Sequence, residues 1–193
     1  MMTAGDKSAL SQVAGGKLSK TQPAKIDLLS SPLWHRWLQP TSAVKQTLPA
    51  VFDNAKIASE LATIDCGDKT SYRAKLLVVL RQHLADAKIK LEQDFYSNND
   101  GAIYVGQHAR CIDDLLRLLH DEAGKLIGQS HDVAVIAVGG YGRGEMAPFS
   151  DIDVMFLMPT KISKQHETAI EFMLYLLWDL GLKIGHSTRS ITE

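Results

Sequence analysis

The chain has 193 residues, enough for one domain of ordinary size and too few for a large multidomain machine. Apolar residues make up 45% of it and charged residues 22%, which permits a packed core and argues against wholesale disorder. With 21 Lys plus Arg against 22 Asp plus Glu the formal charge is -1, leaving no global basic field for coating nucleic acid.

From Met1 to about Pro49 the sequence is rich in Ser, Lys, Thr, Gln and Gly with no sustained period, and it reads as a flexible N-terminal arm, residues 1–49. One island, Leu33, Trp34, Trp37 and Leu38, has the spacing of a short amphipathic helix. Residues 50–128 read as a helical region. Between Ser71 and Phe95, Tyr72, Leu76, Val79, Leu80, Leu84, Ala87 and Leu91 recur at three- and four-residue steps, the signature of an amphipathic helix. Asn98, Asn99, Asp100 and Gly101 form a turn signal, after which Ile112, Leu115, Leu116, Leu119 and Ile127 restart the period, so a helical hairpin is expected. Arg73, Arg81, Arg110 and Arg117 are read as the solvated face of these helices rather than as an anion site.

The texture changes after Gly128, and residues 129–193 form the third region. Val133 to Val138 is a β-branched apolar run expected to be a strand buried on both faces. Asp151 to Met158 is a second strand. Ile170 to Leu182 has helical spacing, with Gly181 where a C-terminal cap belongs, and Lys183 to Ser187 begins a third strand. Strand, turn, strand, helix, strand, preceded by helices, is an α/β (α+β) pattern. Cys66 and Cys111 lack paired spacing, which points to a reducing compartment without disulfides or a cysteine zinc site. No signal-like stretch, and no run near the roughly 20 apolar residues of a membrane span, is present. A cytoplasmic location is therefore expected.

The chemistry concentrates in VGGYGRGEMAPFSDIDV, Val138 to Val154. Asp151 and Asp153 lie two apart, and strand side chains at i and i+2 share a face, so the two carboxylates are expected to converge. Such a pair is repulsive unless a cation neutralises it, and Mg²⁺ takes one or two carboxylates together with substrate phosphate oxygens. Asp-x-Asp alone is weak, being common in loops. Gly139 and Gly140 strengthen it, because glycine lets backbone N–H groups approach a phosphate, and Arg143 adds a guanidinium. A dinucleotide fingerprint from Gly140, Gly142 and Gly144 is disfavoured: Glu145 fills the small-residue position and Asp151 arrives too soon for the ribose acid. A Walker loop is excluded because no Gly-Lys-Ser/Thr follows the glycines.

These features together resemble the nucleotidyltransferase signature of the polymerase β superfamily: Val138-Gly139-Gly140, ten residues from Tyr141 to Ser150, then Asp151-Ile152-Asp153-Val154. More narrowly, GGYGRGEMAPFSDIDVMFL followed by LLWDLGLKIGHSTRS is similar to the bifunctional uridylyltransferase and uridylyl-removing enzymes that modify the PII nitrogen-regulatory protein, over about Val133 to Arg189. The resemblance implies a polymerase β-like core with a small mixed sheet, and Mg²⁺-dependent transfer of UMP from UTP to a tyrosine of PII. It assigns Asp151 and Asp153 to the catalytic metal and Gly139 and Gly140 to the triphosphate, with Arg143 and Ser150 as motif-neighbouring binding candidates.

The superfamily's third carboxylate has no counterpart up to Glu193, and the family's hydrolase and sensing domains have none either. The chain is accordingly expected to correspond to an N-terminal fragment, its core incomplete at the C-terminus. His186 is read as a strand histidine with a structural hydrogen bond rather than a general base. A noncatalytic nucleotide- or partner-binding remnant and a related adenylyltransferase are the competing readings, since glycines and acids contact only phosphates and leave base choice open.

Overall fold

A computed structural model describes residues 50–64, 69–127 and 132–193. The N-terminal arm, its Leu33–Leu38 island and His131 lie outside these residues.

Helix α1 (Asn54–Ala62) starts at Asp53, whose side chain accepts the Lys56 N–H at 3.0 Å, and it buries Ile57 and Leu61. Helix α2 (Lys69–Asn98) buries Tyr72, Leu76, Leu80, Ala87 and Leu91, the stripe expected from their spacing. The turn then reverses the chain at Asn99, with φ of 52°. Asp100 starts helix α3 (Gly101–Ile127) by accepting the N–H groups of Ala102 and Ile103 at 2.9 and 3.1 Å. The expected hairpin thus forms, capped by the Asn/Asp chemistry that marked it.

Strand β1 (Ala134–Ala137) leads into a single helical turn, α4 (Gly139–Gly142), and then to strand β2 (Ile152–Met158). Helix α5 (Lys164–Asp179) crosses over to strand β3 (Ile184–Ser190). The sheet order is β1-β2-β3, with β1 antiparallel to β2 and β2 parallel to β3. In register, Ala137 lies opposite Val154 and Asp153 opposite Gly185.

Along β2, Ile152, Val154, Phe156 and Met158 are buried and alternate with half-buried Asp153, Met155 and Leu157. The buried row joins Met173, Leu176 and Leu177 of α5 and Leu115 and Leu119 of α3 in one apolar cluster. Helices therefore cover one sheet face. This corrects the expectation for Val133 to Val138: β1 is an edge strand, Ala134 is exposed, and Val135, Ile136 and Ala137 are only half-buried. A run buried on both faces needs helices on both sides of the sheet, and the described residues supply one.

Helix α5 begins six residues before the expected Ile170, its polar first turn capped by Ser163 and His166. It ends as expected, with Gly181 at φ of 76° and the N–H groups of Gly181 and Leu182 bonded to the carbonyls of Trp178 and Leu177. Arg73 pairs with Asp179, and Arg81 donates to the Asp179 carbonyl at 2.7 Å, so both arginines tie α2 to the end of α5. Among the described residues no helix is long and apolar enough to cross a membrane.

Candidate active site

The glycine segment leaves β1 abruptly. Gly139 takes φ of 61°, a left-handed value that costs any residue with a Cβ about 1–2 kcal/mol, and α4 follows at once. The turn is held on both flanks. Val138 donates its N–H to the Asp153 carbonyl at 3.0 Å, fixing the turn against β2. Tyr141 is buried, and its hydroxyl donates to Asp113 Oδ1 of α3 at 2.7 Å. Burial, reinforced by the Asp113 carboxylate, raises the Tyr141 phenol above its ordinary range, so it stays a neutral donor. The first-turn N–H groups of Gly139, Gly140 and Tyr141 have no carbonyl one turn back within α4.

Asp151 is exposed immediately before β2, Asp153 is half-buried within it, and Ile152 between them is buried. Burial therefore alternates over these three residues, with Asp153 inside the strand and Asp151 one residue before it. The Asp153 carboxylate lies against the glycine turn: a Cβ added to Gly139 would stand 2.7 Å from its Oδ2. Asp153 and Gly139, 14 positions apart in the motif, are therefore neighbours in space. Gly185, on the adjacent strand, bounds the same carboxylate from the other side, where an added Cβ would overlap Oδ1. Reading the motif alone misses Gly185. The available signal was a glycine inside a strand, a common mark of close approach.

Arg143 lies across its own turn, Nη1 donating to the Gly139 carbonyl and Nε to Glu145 Oε2, each at 3.0 Å. Its guanidinium is thus beside the glycines, though exposed and shared with Glu145. Ser150 sits elsewhere. It lines a cavity of about 810 Å³ on the helical side of β2, with Ile152, Phe149, Tyr104 and Cys111, which neither Asp151 nor Asp153 lines. His108 hangs the intervening loop on α3 by donating Nδ1–H to the Met146 carbonyl at 3.2 Å. Burial lowers the pKa of His108, favouring the neutral ring. His186 is exposed, and its ring meets Trp178 edge-on at 5.9 Å, a ring contact in place of the expected hydrogen bond.

No group of three or more His, Cys, Asp or Glu side chains suited to a metal occurs among the described residues. A pair of carboxylates is the kind of donor set that suits a hard divalent cation also taking ligand oxygens.

Residues 117–193 match the model of the nucleotidyltransferase domain family. This segment belongs to the nucleotidyltransferase domain family, and the mixed three-stranded sheet with its glycine turn agrees with that class. More particularly, its relatives are bifunctional uridylyltransferase/uridylyl-removing enzymes. That of Rhodospirillum rubrum is 43% identical over 135 residues, covering 65% of this chain and 14% of the relative. That of Azospirillum brasilense is 38% identical over 154 residues, covering 75% and 16%. That of Rhodopseudomonas palustris is 36% identical over 151 residues, covering 74% and 16%. The chain thus spans about a sixth of the length of these relatives. No solved structure matches it.

Proposed function

We propose that this chain carries the half-site for Mg²⁺-dependent transfer of UMP from UTP to a tyrosine of the PII nitrogen-regulatory protein, with release of pyrophosphate, in the cytoplasm. The observation that carries the reading is the closeness of the Asp153 carboxylate to Gly139, where an added Cβ would stand 2.7 Å from Oδ2, which sets a cation ligand beside the glycine turn. The uridylyltransferase names of the relatives support the choice of UTP, and the resemblance of the motif supports PII as acceptor.

The donor set fits Mg²⁺: Asp151 and Asp153 offer hard oxygens and leave positions for phosphate. When bound, the ion polarises the α-phosphoryl group and neutralises charge developing there. The chain's own residues do the holding. Asp151 and Asp153 bind the cation. The N–H groups of Gly139 and Gly140 point preorganised donors at the phosphate tail, at no reorganisation cost during reaction. Arg143, already laid across the turn, adds positive charge to the same anion. Ser150 orders the approach to Asp151 through its N–H bond to the Ala147 carbonyl at 3.2 Å.

Calorimetric titration of UTP into the purified chain, with and without Mg²⁺, tests the reading. Binding should require Mg²⁺ and vanish in the Asp151→Asn/Asp153→Asn variant. Equal binding by the two proteins would end the metal assignment. Incorporation of labelled UMP into PII separates a catalytic chain from a nucleotide-binding one, and competition by ATP tests the base.

A further inference from the structure

We propose that Gly185 is a positioning residue for Asp153: its missing side chain holds open one wall of the slot in which that carboxylate sits. The inference rests on the metal role given to Asp153 above, and deepens it. Asp153 and Gly185 face each other across the parallel β2–β3 pair. A Cβ built on Gly185 would overlap Asp153 Oδ1, and one built on Gly139 would lie 2.7 Å from Oδ2. One carboxylate oxygen therefore fills the space of each absent side chain. The two glycines, 46 positions apart, thus leave room for this one placement of the carboxylate, which a side chain on either would displace.

Two facts separate this from an ordinary requirement for glycine. Gly139 needs its left-handed φ, so a substitution there mixes backbone strain with crowding. The backbone of Gly185 lies outside the left-handed region, in a strand that any residue can adopt. Glycine in a strand interior weakens the strand, so its presence there without a backbone reason marks close approach. The approaching atom is the carboxylate oxygen of a proposed metal ligand.

The test is Gly185→Ala, read in two ways on the whole chain. In metal-free protein labelled with ¹³C-carboxyl aspartate, the Asp153 resonance should move while that of Asp151 stays in place. An unmoved Asp153 resonance overturns the proposal. Manganese(II) binding, followed by its paramagnetic spectrum, should weaken by about 10–100-fold, the range for losing a group that orients a metal ligand. Undiminished manganese affinity also overturns it. If the parent binds no manganese the metal reading of Asp153 fails, and the carboxyl resonance still decides whether Gly185 positions the side chain. A stability cycle guards against a folding defect. Adding Gly185→Ala to Asp153→Ala should cost little, because the oxygen it would strike is gone, whereas the single Gly185→Ala change should cost more. Equal costs in both backgrounds would refute the coupling.

Discussion

The Tyr141 hydroxyl and the Asp113 carboxylate meet at 2.7 Å, and this bond joins the glycine turn to the middle of α3. Phe at position 141 keeps the buried ring and removes the donor. A hydrogen bond to a charged group contributes about 1.5–3 kcal/mol when fully desolvated, and Asp113 is only half-buried, so Tyr141→Phe should destabilise the chain by about 1–2 kcal/mol. Urea unfolding should show a lower midpoint at an unchanged slope. UTP affinity should fall as well, since the turn loses one of its two anchors. Unchanged affinity would mean that the Val138–Asp153 backbone bond holds the turn alone.

Cys111 gives the fold an alkaline limit. Burial first, and the Asp114 carboxylate second, push its thiol up to about 12. The unfolded chain releases that proton near pH 8.5, so the folded state binds more protons above that point. Stability from this group is therefore complete below about pH 8.5 and declines as pH rises toward 12, by up to about 1.4 kcal/mol per pH unit. Tyr141 adds a loss of the same sign, beginning higher, near pH 10. Urea unfolding at about pH 8 and about pH 9.5 should thus show a decrease that Cys111→Ala removes. The slope is the readout, because the alanine also leaves a small void that shifts both points equally.

What local sequence could convey, and what it could not, divides along range of interaction. The acid-bearing strand was legible because Ile152, Val154 and Phe156 alternate with Asp153 and Met155, and the end of α5 because Gly181 follows its last periodic residue. The start of α5 was not, since KQHETA is polar and its cap uses His166 where the familiar signature has Glu or Gln. Helix α1 was not singled out, because only Ile57 and Leu61 are buried in its nine residues. The burial of β1 was overestimated because an apolar run reports composition, not the number of covered faces. For Gly185 the local signal, a glycine inside a strand, marks close approach, but the approaching residue lies 32 positions earlier and is set by parallel register, which no local pattern encodes.

Gly181 isolates a backbone effect. Its φ of 76° closes α5, and nothing lies within 4 Å of where a Cβ would stand. Gly181→Ala therefore meets no clash, and its whole cost is the left-handed conformation, about 1 kcal/mol. The expected result is a lowered urea midpoint with no change in UTP or manganese binding. A loss of several kcal/mol would mean that the methyl disturbs the entry to β3.

His108 supplies the acid limit. Its ring donates through Nδ1 to the Met146 carbonyl, which suspends the loop between the glycine turn and Asp151. Burial lowers its pKa below the ordinary value near 6.5, against the opposing pull of the Met146 and Ala147 carbonyls. Below that ordinary value the unfolded chain takes up a proton more readily than the folded one. The stability tied to the neutral ring is thus present above about pH 6.5 and is lost as pH falls toward the folded value. Thermal unfolding followed from about pH 7.5 down to about pH 5.5 should show a falling midpoint, less steep in His108→Gln, which keeps a donor but does not titrate. A proton NMR titration of the imidazole should give a midpoint under the ordinary value. Should the parent and the glutamine variant fall together, the acid sensitivity belongs to the carboxylates, and His108 serves only to hang the loop.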